Sequence, residues 1–245
     1  MSTNSSDFKA FLIASDLINR FDRSSRVFGP LEVEIHWTAW MDPGVHTGFA
    51  MVVYASIPGV ETSDSATADR DVVEKHYRDA MTRIGIAGWH AEAGLPGQGT
   101  CDLVGSTVLA IHHELLTGDE VQQVRTAVGR IRQLGAIFAE TTSWDMPFDA
   151  YDNDPHLGLA GIGAESFINL RNERDAAYLS PVRVRSMFQY ALDDEFGVIM
   201  DSQQPGDAKT SFSDIRMKAA GLYVPGPDHV RDALAHALLA IRRNG

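Results

Sequence analysis

Trp40-Met41-Asp42-Pro43-Gly44-Val45-His46-Thr47-Gly48 lies between two apolar runs, and the fold turns on how it is read. In the run before it, Val33, Ile35, Trp37, Ala39 and Met41 alternate with other residues, which predicts a half-buried strand over 33–41. The apolar residues 49–57 predict a second, more fully buried strand leaving the turn. Together the two make a hairpin with Asp42 at its mouth, on the strand expected to be central. Asp-Pro-Gly is also ordinary turn chemistry, because proline presets one backbone angle and glycine supplies another. The stretch alone does not choose between a turn and a site.

Ahead of it, residues 7–22 carry apolar positions at helical spacing behind a Ser/Asp start, so residues 1–30 read as an N-terminal helical extension. Beyond the hairpin, residues 62–69 are a polar loop and 72–84 return to helical periodicity, with Gly85 as the stop. The glycine-rich residues 94–100 lack the Gly-Lys-Ser/Thr ending of a phosphate-binding loop. A strand is expected over 103–111 and a helix over 119–134, stopped by Gly135. Between them, His112-His113-Glu114 holds neighbouring histidines that point in different directions on a helix or a strand. They read as solvent-facing or structural rather than as metal ligands. Residues 144–155 form an acidic loop whose Asp149, Asp152 and Asp154 do not match a calcium-loop spacing. Residues 60–155 as a whole read as a long central insertion.

The net charge of −12 opposes nonspecific nucleic-acid binding, which usually needs a basic surface. From Glu165 onward, however, 10 Lys and Arg stand against 11 Asp and Glu, so the excess acid belongs to the earlier part. A single cysteine, Cys101, excludes an internal disulfide and a multi-thiolate metal site and suits a reducing cytoplasm. No apolar run has the length of a membrane span, and the first residues have no basic and apolar signal pattern.

Residues 161–170 read as a strand that carries one carboxylate, Glu165, in a small and apolar run. Such a group is costly unless it is paired, placed at an edge or bound to a metal. Ser180-Pro181 supplies an N-cap and a first-turn proline for a helix to about Asp194. A short strand over 196–200, a loop over 203–210 and a short helix over 213–220 follow, and Gly226-Pro227-Asp228 then opens the final helix. His229 and Asp232 share one face of its first turn, with Asp228 beside them, while Ala233, Leu234, Ala237, Leu238 and Ile241 form an opposite apolar stripe. An acidic first turn is also an ordinary helix start, favoured by the helix dipole.

A strand ending in Asp-Pro-Gly, a later strand with Glu165, and a last helix opening His-x-x-Asp-Ala resemble the RuvC-like Holliday-junction resolvases, particularly the phage-encoded branch. Over the last third, Leu179-Ser180-Pro181-Val182-Arg183, Gln204-Pro205-Gly206-Asp207-Ala208-Lys209-Thr210, Lys218-Ala219-Ala220-Gly221-Leu222-Tyr223 and His229-Val230-Arg231-Asp232-Ala233 follow in that family's order. The resemblance covers under half of the chain.

It implies an α/β, ribonuclease-H-like fold over 31–245: a mixed five-stranded sheet flanked by helices, with the first and fourth strands parallel neighbours. It further implies Asp42, Glu165, His229 and Asp232 as catalytic metal ligands for Mg²⁺, with Mn²⁺ as substitute, and Asp228 has a weaker claim. Lys209, Arg171, Arg174, Arg183 and Arg185 are the implied DNA contacts, and ordinary surface charge is the other reading for each. The implied activity is cleavage of Holliday junctions or other branched DNA by a homodimer in the cytoplasm. The competing expectation is a ribonuclease-H-like module that binds DNA or protein without cutting. Two departures stand out: about 30 residues precede the first strand, and 123 positions separate Asp42 from Glu165.

Overall fold

The hairpin around Asp42 is present in the structure, a computed structural model that describes residues 8–16, 18–19, 34–56, 106–139, 158–166 and 179–244. Strand β1 (Glu34–Asp42) pairs antiparallel with β2 (Thr47–Ser56) along its whole length, so Asp42 faces Gly48 across the ladder. β2 pairs antiparallel with β3 (Ser106–Leu116), with a bulge between Val53 and Tyr54. On the other side of β1, β4 (Leu159–Glu165) runs parallel to it, and β5 (Asp201–Gln203) runs parallel to β4. The five strands lie in the order β3-β2-β1-β4-β5. This is the expected mixed sheet, with β1 at its centre and an antiparallel half joined to a parallel half.

Two helical layers cover the sheet, and the two-residue period of a strand decides what faces each. Ile35, Trp37, Ala39 and Met41 of β1, Phe49, Met51 and Val53 of β2, and Ile162 and Ala164 of β4 share one core. That core is closed by three helices: α1 (residues 8–16 and 18–19), α2 (Glu120–Ala139) and α3 (Ser180–Phe196). Trp40, Ala50, Val52 and Tyr54 face the other way. There they meet α4 (Pro205–Ser211), α5 (Asp214–Ala219) and α6 (Asp228–Asn244). Asp42 follows Trp40 by two residues and Glu165 follows Gly163 by two, so both carboxylates belong to the α6 face. Met41 is in register with Ala164, which brings both to the same end of the sheet.

Several expectations need correction. β1 is buried on both faces rather than half-buried, because α6 covers the face that carries Thr38 and Trp40. α6 itself is buried on all sides from Ala233 to Ile241, since α4, α5 and the segment through Leu222 and Val224 cover the side turned from the sheet. Each buried leucine there, such as Leu234 or Leu238, contributes about 1.5–3 kcal/mol. The stretch 60–155 is not one insertion: β3 is a strand of the sheet and α2 a helix of its cover. α2 runs through Gly135 to Ala139, because the stripe Ile131, Leu134 and Phe138 keeps packing and outweighs the roughly 1 kcal/mol that an interior glycine costs.

The fifth strand is at Asp201–Gln203, not 196–200; Phe196 ends α3, and Val198 and Met200 pack into the α1–α3 core as a connection. The expected loop over 203–210 is mostly helix α4, started by Pro205 in its first turn. Of the two readings of His112, solvent-facing or structural, the structural one holds: it is buried against Phe8 and Phe11, with ring centroids 4.8 and 5.6 Å away. The expected helix over 72–84, the glycine-rich stretch 94–100 and the acidic loop 144–155 lie outside the described residues. Among the described residues no helix is long and apolar enough to cross a membrane.

Candidate functional site

The turn after Asp42 is held from the opposite side of the sheet. Thr47 Oγ1 donates to Gln123 Oε1 at 2.5 Å and accepts from the Gly44 N–H at 3.3 Å. Gln123 Nε2 donates to the carbonyls of Val45 (2.8 Å) and Gly118 (3.0 Å), and Ser180 Oγ reaches the Gly44 carbonyl at 3.4 Å. The starts of α2 and α3 thereby hold the mouth of the hairpin. Ser180 is the first residue of α3 rather than its cap, so its hydroxyl is free to do this. Gln123, a buried amide in the otherwise apolar stripe of α2, is legible as an anomaly in the sequence and was not among the expected site residues.

On the α6 face the approach is equally close. A Cβ on Gly48 would collide with the His229 carbonyl, so only glycine lets the first turn of α6 sit on β2 directly opposite Asp42. His229 Nδ1 then lies 2.5 Å from Asp42 Oδ2. Asp232, one turn on, pairs with Lys209 Nζ of α4 at 2.9 Å. Glu165, the last residue of β4, pairs with His236 Nε2 at 2.9 Å. The three carboxylates thus lie at one end of the sheet, each with a basic partner.

Their fields overlap. Burial pushes the Asp42 carboxyl above its usual range; the His229 hydrogen bond opposes this, and the charges of Glu165 and Asp232 push it further up. His229 is raised as well, chiefly by its bond to Asp42 and against partial burial, with Asp232 and Glu165 adding attraction. At Lys209 partial burial disfavours the charge, yet the bond to Asp232 and the fields of Glu165 and Asp42 hold its pKa above the ordinary value. The site is a concentration of negative charge that draws protons and cations.

Asp42, Glu165, His229 and Asp232 therefore lie near one another at one end of the sheet. As a donor set, three carboxylates and an imidazole suit a hard divalent cation. The present side-chain arrangement is looser: among the described residues no three His, Cys, Asp or Glu groups stand close enough to hold one ion together. Asp228 pairs with Arg231 and is exposed. Of the expected DNA contacts, Lys209 is beside the carboxylates. Arg183 pairs with Glu120 at 3.6 Å, and Arg185 donates to Ser202 Oγ at 3.2 Å. Arg171 and Arg174 lie outside the described residues.

The residue that the sequence did not reveal is His236. It is wholly buried, stacked on Trp40 with ring centroids 5.9 Å apart, and its Nδ1 lies 2.9 Å from Gln203 Oε1. The available signal was its spacing, four residues after Asp232 and seven after His229 on the same helix. A histidine in an apolar stripe ordinarily reads as core.

No family model matches the sequence, and no curated protein matches it. Among solved structures, one described as "T. thermophilus RuvC in complex with Holliday junction substrate" is similar, with a TM-score of 0.41 and 15% identity. The match covers 86% of this chain and 96% of that chain. A likeness of that degree assigns no activity, so the functional reading stands on the strand order and on the gathered side chains.

Proposed function

We propose that this protein is a metal-dependent, structure-selective endodeoxyribonuclease that cuts Holliday junctions or other branched DNA by phosphodiester hydrolysis. The observation that carries the reading is the convergence of Asp42, Glu165, Asp232 and His229 from β1, β4 and α6 at one sheet end, where burial first, and then the charges of Glu165 and Asp232, raise the Asp42 pKa. Buried like charges are costly without compensation, and a fold that collects them from three elements has a use for a cation there.

Mg²⁺ is the expected ion and Mn²⁺ its substitute; two such ions supply activation of a water molecule and stabilise charge on the leaving 3′ oxygen. Asp42, central among the carboxylates, is the ligand best placed to be shared. Glu165 would offer its other oxygen to a cation while His236 holds Oε2, and Asp232 would exchange Lys209 for one. Lys209, released from Asp232 and more than half exposed, would then meet a phosphate at the site's edge. Arg183 and Arg185 have partners already and contribute less. Paired cuts in a symmetric junction call for two sites, which a homodimer supplies.

Purified protein with Mg²⁺ should nick a synthetic four-way junction, and Asp42→Asn should lower that rate by at least about a thousandfold, a loss of roughly 4 kcal/mol of transition-state stabilisation. Equal cutting by the wild type and the variant would reject the site.

One observation favours a second reading, a module that binds DNA or protein without cutting: each carboxylate already has a basic partner within hydrogen-bond distance. Calorimetry with Mn²⁺ separates the two, since no heat of binding at millimolar metal supports the inert module.

A further inference from the structure

We propose that His236 is a positioning residue for Glu165: it ties the carboxylate at the end of β4 to the helix that carries His229 and Asp232. The inference rests on the reading of Glu165 as a member of the catalytic set. His236 sits in the apolar stripe of α6, where Leu234, Ala237 and Leu238 are fully buried, and nothing in that environment calls for an imidazole. Burying one there costs roughly 1–3 kcal/mol unless its nitrogens find partners. Both do.

The partners are specific and themselves held. Gln203 Nε2 donates to the main-chain carbonyl of His236 at 3.3 Å, which turns Gln203 Oε1 toward His236 Nδ1 and makes that nitrogen the donor. Glu165 Oε2 is an acceptor too, so Nε2 donates as well, and the ring that makes both bonds carries a proton on each nitrogen, its charge set against the carboxylate. Gln203 is in register with Glu165 in the β4–β5 ladder, and its carbonyl accepts the Ser166 N–H at 2.7 Å, so the backbone on either side of Glu165 is clamped as well.

The ring plane is set by Trp40, which stacks on it at an interplanar angle of 12°. Trp40 in turn donates Nε1–H to Thr38 Oγ1 at 3.0 Å, and Thr38 Oγ1 donates to the Gly161 carbonyl at 2.7 Å. A Cβ on Gly163 would collide with the Trp40 ring, so glycine at that β4 position makes room for the stack. β1, β4, β5 and α6 each contribute a piece whose combined effect is the placement of one imidazole. Through His229 and His236 the single helix α6 thus reaches the carboxylates of both parallel strands.

Groups that orient metal ligands typically contribute 10–100-fold to metal affinity or activity. The test uses the full chain as wild type, His236→Phe and His236→Gln, with Mn²⁺ calorimetry and steady-state cutting of a four-way junction. His236→Phe keeps the ring stack and loses the contact to Glu165. It should bind Mn²⁺ about 10–100-fold more weakly and lose kcat by a similar factor, with KM for the junction little changed. His236→Gln places an amide nitrogen near the position of Nε2 and should recover a large part of both.

Should His236→Phe fail to fold, Gln203→Leu, which removes the partner of Nδ1 and the amide bonded to the His236 carbonyl but leaves the ring in place, should show the same weakening of Mn²⁺ binding and kcat in protein that still unfolds cooperatively. Wild-type metal affinity and kcat in whichever of these variants folds would overturn the positioning role alone. A wild-type protein that neither binds Mn²⁺ nor cuts the junction would overturn the reading of the site, and this inference with it.

Discussion

Asp42 and Glu114 are equally hidden, 5% and 6% exposed, and burial alone raises the pKa of both carboxyls. They nevertheless depart from their ordinary values in opposite directions. At Glu114 burial is outweighed by His112, 3.2 Å away, and by Arg130, whose Nε and Nη2 donate to its two oxygens at 2.9 and 3.3 Å. Its pKa falls. At Asp42 a single imidazole is set against burial and two further carboxylates, and the pKa rises.

Depth is therefore not what separates the two carboxylates; company is. The β3 cluster, with Arg130 also lying 4.0 Å over the Phe8 ring, is a closed structural joint between the sheet, α2 and the N-terminal helix. The β1 end is an unbalanced one.

The largest test of that contrast is a pair of stability measurements. Arg130→Met leaves the buried Glu114 charge without its main partner and should lower the free energy of urea unfolding by about 3 kcal/mol while leaving junction cutting unchanged. Asp42→Asn should abolish cutting yet stay within about 1 kcal/mol of the wild type in stability, because it also removes repulsion from Glu165 and Asp232. The reverse order of the two stability losses would make Asp42 the structural carboxylate and Glu114 the unbalanced one.

A smaller effect follows from pH. Glu114 has a folded-state pKa below the ordinary 4.5, so its contribution is complete above that value and is lost as pH falls through the depressed pKa. Asp42 has the opposite sign: its pKa is raised from 3.8, so its contribution is greatest below 3.8 and is lost as pH climbs through the raised value. Unfolding curves between pH 2 and 7 should show an acid loss that Arg130→Met flattens and Asp42→Asn does not. The smallest effect is expected at Lys209, which is more than half exposed. Lys209→Ala should leave stability within about 0.5 kcal/mol, weaken junction binding evenly across sequences, and reduce the slope of log affinity against log salt by about 1.

The alternation of Ile35, Trp37, Ala39 and Met41 was enough to read β1, and the pairing of two apolar runs around Asp-Pro-Gly was enough to read the hairpin. The first turn of α6 was legible for the same kind of reason, a short spacing on one face. What misled was the even-numbered side of β1. Thr38 looks solvent-facing, but it is buried with both its donor and acceptor roles met by Gly161 and Trp40. β5 escaped because three residues, two of them exposed, carry no apolar signal, while the apolar residues just before them belong to a connection. His236 escaped because its partners lie 33 and 71 positions away, and each is unremarkable by itself.

Local order was thus written in the chain: which residues are strand, where the hairpin turns, which carboxylates begin a helix or end a strand. The period of each element depends only on neighbouring residues, and so it can be read in one dimension. Whether those carboxylates would be neutralised one by one, as Glu114 is, or crowded together, as Asp42 is, depended on the register of β1 against β4 and on the glycine contact between β2 and α6. Electrostatic energy falls with distance in space rather than along the chain. Only the packed arrangement could set its sign.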